Sequence, residues 1–264
     1  MTQIPNLAVQ MYTLRSLFTG EAPAMTLDDV LAAVAAAGYS GVELFGPLEP
    51  PAAEMAALLQ KHNLQVISAH VGMGMIEYDM EGVAAYHKAL GNDTVAIPWM
   101  DVASRPTSAA GWTELGGRLN DLGARARDAG MHLLYHNHDF EMVELDGRTA
   151  LEWMLDAAAP DNVGAELDIA WVVRGGQDPL RLIGAMTGRL PRFHAKDAAP
   201  TGENADQGGH ADVGYGTLDW DALLPAAQQA GVTWLIVEHD LPLDPIASIQ
   251  RSATFLRDRW PAAA

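Results

Sequence analysis

One arrangement repeats along this chain and restricts its fold more than any single residue does. An alanine-rich helical stretch ends in glycine, and a short run rich in β-branched and apolar residues follows. Ala35 to Tyr39 leads into Gly41 to Phe45, and Ala89 to Asp93 leads into Thr94 to Ile97. Asp128 to Met131 leads into His132 to Tyr135, and Gln229 to Val232 leads into Trp234 to Val237. Glycine fits the left-handed backbone position that closes a helix, so each junction marks a helix handing over to a strand. The pattern predicts strands near 7–11, 41–45, 65–70, 94–97, 132–137, 163–168, 192–196 and 234–239. Helices fall near 26–37, 51–62, 79–90, 109–129, 148–158, 178–187, 219–230 and 244–258. Asp28 and Asp29 suit a helix's first turn, and Asp178-Pro179 reads as a cap followed by a first-turn proline.

Strands alternating with helices make a parallel sheet, and eight such units predict a closed (β/α)8 TIM barrel. No linker or low-complexity segment divides the chain, so the barrel is expected as a single domain over residues 1–264. A doubly wound open sheet is the alternative. It is weakened because no Gly-rich dinucleotide fingerprint follows the first strand. The irregular stretch Ala198 to Gly216 follows the seventh strand, and shorter polar loops are expected at 72–78 and 98–108. All three belong to the side where barrels of this type carry their active sites.

Composition narrows the chemistry. The 264 residues are 49% hydrophobic, enough for a large core, and include no cysteine. Zinc–thiolate sites and disulfides are therefore excluded, and any metal must be held by nitrogen and oxygen. The net charge of −18 repels phosphate polymers, so nucleic acid is not an expected partner. No apolar run approaches the ~20 residues of a membrane span. Met1 to Asn6 lacks the basic and apolar regions of a secretory signal, so a cytoplasmic enzyme is expected.

The stretch Leu133 to Glu141 runs from an apolar strand into His136, Asn137, His138, Asp139 and Glu141. Two imidazoles and two carboxylates at a strand end are costly to bury unless something binds there. Ala165 to Asp168, Phe193 to Asp197 and Ile236 to His239 end in the same way. Glu43 and His70 close the second and third strands. Side chains alternate along a strand, so His136 shares a face with His138, Glu166 with Asp168, and His194 with Lys196. His136, Asp168, His194 and Glu238 are the expected ligands of one divalent metal ion. Two imidazoles and two carboxylates suit Mn, Co, Fe or Zn better than an all-oxygen magnesium site. Each residue also has a plain structural reading: Asp168 as a cap, Glu238 as the partner of Lys196, Glu43 as a hydrogen-bond acceptor, any one histidine as a bonded core residue.

The chain resembles the sugar phosphate isomerase/epimerase superfamily of xylose-isomerase-like barrels. The resemblance is carried by Gly41-Val-Glu43, Ser68-Ala-His70, Tyr135 to His138, Glu166-Leu-Asp168, His194 to Asp197, Val213 to Gly216 with Asp219-Trp220, and Val237-Glu238. It implies a divalent metal held by a strand-five carboxylate, a strand-six Asp, a strand-seven His and a strand-eight Glu, which carries over to Asp168, His194 and Glu238. On strand five this chain has His136 where ketose epimerases of the superfamily have Glu. The doublet His136-Asn-His138 is more similar to the His-X-His of inosose dehydratases.

The implied chemistry is removal of a proton next to a carbonyl, with the metal as a Lewis acid. Glu238 is the expected base, and His138, Lys196 and Glu43 are candidates for the acid or for orienting substrate. His70, Asn137, Trp99 and Trp171 are expected to contact substrate, with Phe45 as a further stacking surface. Isomerisation or epimerisation of a keto-sugar stands first, dehydration of an inosose or keto-sugar second, and a silent sugar-binding protein third. No Arg cluster or Gly-rich cradle marks a phosphate site. A three-zinc DNA-repair endonuclease of related fold would need more ligands and a basic face. The amphipathic helix from Asp244 to Trp260, with Ile246, Ile249 and Phe255, accounts for barrel closure and leaves a homo-oligomer open.

Overall fold

A computed structural model describes residues 6–46 and 49–260. Most of the amino-terminal stretch read for a signal, and the ends of the 1–264 domain span, lie outside them. Eight parallel strands close into a barrel: β1 Leu7–Gln10, β2 Gly41–Phe45, β3 Gln65–His70, β4 Thr94–Ile97, β5 His132–His136, β6 Val163–Asp168, β7 Arg192–Ala195 and β8 Trp234–Val237. Each pairs with its neighbours in sequence, and β8 closes on β1 through Leu7↔Leu235, Ala8↔Ile236 and Val9↔Val237.

The main surrounding helices are α1 Leu27–Ala36, α2 Ala52–Lys61, α3 Met80–Ala89, α4 Ala109–Asp128, α5 Ala150–Asp156, α6 Pro179–Ala185, α7 Trp220–Ala230 and α8 Pro245–Arg259. Their starts are chemically marked. Thr26 and Asp29 form a capping box on α1, as do Thr149 and Glu152 on α5. Asp178, Asp219 and Asp244 cap α6, α7 and α8 by accepting from backbone N–H groups that have no intrahelical partner. On α8, Ile249, Ala253 and Leu256 are buried, while Ile246 and Phe255 are half-buried against the same core. Burial of a side chain the size of Ile249 contributes about 1.5–3 kcal/mol.

Two glycines let α4 pack closely. A Cβ on Gly116 would lie 2.1 Å from the Met154 carbonyl oxygen, and one on Gly123 would lie 2.1 Å from that of Asn162. Gly117 meets nothing within 4 Å. The lower end of the barrel is plugged by Ala8, Ile67 and Ile236 with Trp234 packed against them. Arg192 crosses from β7 to donate to the Ile67 carbonyl at 2.9 Å.

Three connections differ from the expected loops. Residues 72–78 contain a helix, Met73–Tyr78, because Ile76 finds a fully buried position. Val102–Ser104 forms a 3-10 turn within 98–108. In the stretch after β7, Asp197–Ala198 pairs antiparallel with His210–Ala211, which folds the loop back toward the barrel. The strand ends read from sequence run one or two residues long at β1, β5, β7 and β8, where the chain turns to present its polar groups. Among the described residues, no helix is long and apolar enough to cross a membrane.

Candidate active site

The strand register assembles the site. His136 lies opposite Glu166 across β5 and β6, and Asp168 lies opposite His194 across β6 and β7. With Glu238 following β8, four strand ends meet. His136, Asp168, His194 and Glu238 each bring one ligand atom within 4.8 Å of the others, and all four are buried. His194 Nδ1 is 3.1 Å from Glu238 Oε2, and His136 Nε2 is 4.0 Å from Asp168 Oδ2.

Asp168 is doubly held. Its Oδ1 accepts from the Trp171 N–H at 3.1 Å, capping the short helix Ile169–Arg174. Its Oδ2 is buried without a hydrogen-bond partner among the described residues. Burial pushes the Asp168 carboxyl above its ordinary range, an effect that the nearby Lys196 charge opposes. Asn137 is nearly fully buried. Its side chain accepts from the Asp168 N–H at 2.9 Å and donates to the Asp168 carbonyl at 3.2 Å. The expected substrate contact at Asn137 is therefore placed behind the site, fixing the backbone of Asp168.

Lys196 is buried among carboxylates, 2.6 Å from Asp240 Oδ1, 3.1 Å from Glu238 Oε2 and 3.5 Å from Asp168 Oδ2. Burial alone would lower its pKa, but Glu238, Asp168 and Asp240 outweigh that and raise it above the usual lysine value. For Glu238 burial acts upward, while Lys196 and His194 hold the carboxyl well below its ordinary range. Glu238 is therefore a carboxylate and Lys196 a fixed cation at neutral pH. Burial, reinforced by the Lys196 charge, depresses His138 to about 2. Burial likewise depresses His136 to about 3, with the His194 charge adding to it. Both rings are neutral, the form that can accept a proton or bind a metal.

Above these groups opens a cavity of about 730 Å³. His70, His136, His138, Lys196 and Glu238 reach it from the floor, and Phe45, Trp99 and Trp171 from the walls. His138 sits between Trp99 and Trp171, with ring centroids 4.8 and 5.1 Å away. Trp99 is 49% exposed and stands at the mouth. Glu43 is placed elsewhere. It is fully buried, accepts from Ser68 and from Gln10 Nε2, and lies 2.7 Å from His194 Nε2. His70 lies 2.8 Å from Glu166 Oε1.

Three further groups, Asp240, His210 and Arg15, were not singled out from the sequence. Asp240 pairs with Lys196 and is 3.0 Å from His210 Nε2. Arg15 donates to the Asp240 carbonyl at 2.7 Å and stacks on Tyr12, which also lines the cavity. Asp240 follows the Val237-Glu-His run and was open to inspection there. His210 reaches the site only through the ribbon that folds its loop back.

Comparison with known proteins agrees with this architecture. The chain resembles an inosose dehydratase of Lacticaseibacillus casei, with 27% identity over 140 residues, covering 48% of this chain and 46% of that enzyme. It thus spans about half the length of the curated relative it matches. A sugar phosphate isomerase/epimerase from Parabacteroides distasonis superposes with a TM-score of 0.78 at 20% identity, covering 97% of this chain and 94% of the other. The IolI protein, solved with a bound zinc atom, superposes with a TM-score of 0.76 at 17% identity over 98% of this chain and 100% of its own. The sequence profile of the xylose isomerase-like TIM barrel matches residues 31–259. With nearly the whole barrel covered by that profile, the chain belongs to the xylose isomerase-like TIM barrel family.

Proposed function

We propose that this protein is a metal-dependent enzyme that removes a proton next to the carbonyl of a keto-sugar or cyclitol, with loss of a β-hydroxyl as the outcome. The observation that carries the reading is the convergence of His136, Asp168, His194 and Glu238 beneath one cavity. The residues fit a divalent cation by their donor chemistry and by the unpartnered, buried Asp168 Oδ2. A cation held there supplies Lewis-acid polarisation of a ketone and its neighbouring hydroxyl.

The protein's own groups divide the remaining work. Glu238 lines the cavity as a carboxylate and takes the proton from the carbon beside the carbonyl. Lys196, a permanent cation beside it, steadies the negative charge that develops on the substrate oxygen. His138, neutral and facing the cavity, relays the proton taken by Glu238 to the departing β-hydroxyl, which leaves as water. Trp99 and Trp171 flank His138 and offer apolar faces to the sugar ring.

Elimination is favoured because the other carboxylates near the cavity are committed or remote. Asp240 is taken by Lys196 and His210, and Asp139 stands exposed at the rim. The similarity to inosose dehydratases supports the same choice. Isomerisation or epimerisation is the second reading, favoured by the barrel's likeness to a sugar phosphate isomerase/epimerase and by the common first step. The test is proton NMR in deuterated water on the metal-loaded protein with a panel of keto-sugars and inososes. Loss of water marks elimination, and deuterium uptake with a changed configuration or carbonyl position marks the second reading. Absence of water loss, rearrangement and solvent exchange on every compound refutes both and leaves a sugar-binding role.

A further inference from the structure

Two sets of ligand atoms among the described residues lie close enough to hold a cation, and they share His136 and His194. The upper set adds Asp168 and Glu238; the lower adds His70 and Glu166. Each shared imidazole therefore has one nitrogen toward each set. His194 Nδ1 faces Glu238 at 3.1 Å, while its Nε2 faces Glu43 at 2.7 Å and Glu166 at 3.3 Å.

We infer that Glu43 is a positioning residue: when a cation occupies the upper set, the Glu43 carboxylate keeps the His194 proton on Nε2 and so leaves Nδ1 to face that cation. A neutral imidazole carries one proton, and an acceptor fixed at one nitrogen leaves the other as a ligand. Glu43 is itself clamped. One oxygen accepts from Ser68 and the other from Gln10 at 2.6 Å, in a fully buried position spanning β1, β3 and β7. The lower set is already joined by close contacts, His70 to Glu166 at 2.8 Å and His194 to Glu166 at 3.3 Å. In the upper set Asp168 Oδ2 has no hydrogen-bond partner among the described residues and lies 3.5 Å from Lys196. His136 Nδ1 is 3.3 Å from Glu166 but is not aligned for a hydrogen bond, so Glu43 and His194 carry the argument. The assignment takes Glu43 out of the acid–base role expected from sequence. It rests on the proposed metal site and not on the identity of the reaction.

The test uses the full chain with Glu43→Gln, in competition with a chromophoric chelator for zinc and manganese, alongside the electronic spectrum of the cobalt form. The expected result is one ion per wild-type chain, affinity weakened about 10–100-fold in the variant, and shifted cobalt bands. If Glu43→Gln does not fold, Gln10→Leu, which frees one hydrogen bond to the same oxygen, replaces it with a smaller weakening expected. Unchanged affinity and an unchanged cobalt spectrum overturn the inference. So do two ions per wild-type chain with one lost on substitution, since the lower set would then be an ion site. A wild-type chain that binds no cation removes the metal site and this inference together. Weakened binding in a protein that turns over no keto-sugar removes only the proposed reaction.

Discussion

Replacing Lys196 by methionine tests the electrostatics at the centre of the barrel. The ammonium is 1% exposed and lies within 3.5 Å of oxygens from Glu238, Asp240 and Asp168. Methionine keeps much of the stem volume but leaves three carboxylates crowded without their cation. Removing one partner of a buried charged pair costs about 3–5 kcal/mol. For a chain of this size that corresponds to a fall in unfolding temperature of roughly 6–20 °C. Because the carboxylates raise the Lys196 pKa above the usual lysine range, the deficit should stay flat between pH 6 and pH 9. A divalent cation should then narrow it, since an ion at 100 times its Kd stabilises a protein by about 2.7 kcal/mol and binds the more negative variant more tightly. The assay is thermal unfolding of metal-free and metal-loaded protein, wild type beside Lys196→Met. A metal-free variant within 2 °C of wild type, or a deficit that saturating manganese does not narrow, would refute the charge arrangement.

Four other outcomes are expected. His194→Ala and Asp168→Ala should each abolish stoichiometric metal by elemental analysis, and full metal content in both would remove them as ligands. His138→Ala should lower kcat at least tenfold while metal content holds, and unchanged turnover would exclude it from the proton path. The Glu152 carboxyl, which burial alone would raise, is held at about 2 by Arg181 and Thr149. A depressed carboxyl stabilises the fold above its ordinary pKa and loses that stabilisation as pH falls toward 2. The stability gap between wild type and Arg181→Met in urea should therefore shrink from pH 6 to pH 3.5, and a constant gap would sink the pairing. Gly116→Ala should destabilise by about 1–3 kcal/mol through the clash with the Met154 carbonyl, whereas Gly117→Ala, in open space on the same helix, should stabilise by about 0.5–1 kcal/mol. Equal effects in urea melts would contradict the packing of α4 against α5.

The barrel was legible because β2, β4, β5 and β8 repeat the same local grammar, an apolar run entered through a helix-closing glycine. Parallel strands point one way, so the polar groups after β5, β6, β7 and β8 had to gather on one side. That is why His136, Asp168, His194 and Glu238 could be grouped before any coordinates. Depth and rotation were not legible. A register shift between Val42 and Glu43 accompanies the placement of Glu43 under His194 and not in the cavity. Asn137, one residue past β5, faces the backbone of β6, which alternation alone does not reveal. His210 is distant in sequence from β8, and only the antiparallel ribbon at Asp197–Ala198 returns it beside Asp240. Met73–Tyr78 read as loop because it is short and Gly72 before it gives no side-chain cap, and tertiary burial of Ile76 decided it.

Asp168 ends a strand, begins a helix and belongs to the ligand set, all through one short side chain. Oδ1 is engaged by the Trp171 amide, while Oδ2 has no hydrogen-bond partner among the described residues and lies 3.5 Å from Lys196, so Oδ2 is the oxygen that would be offered to a cation. The same hydrogen bond ties the backbone of Trp171 to a carboxylate of the proposed ligand set. If a cation is held there, any movement of the carboxylate would be passed on to Trp171, a wall of the cavity.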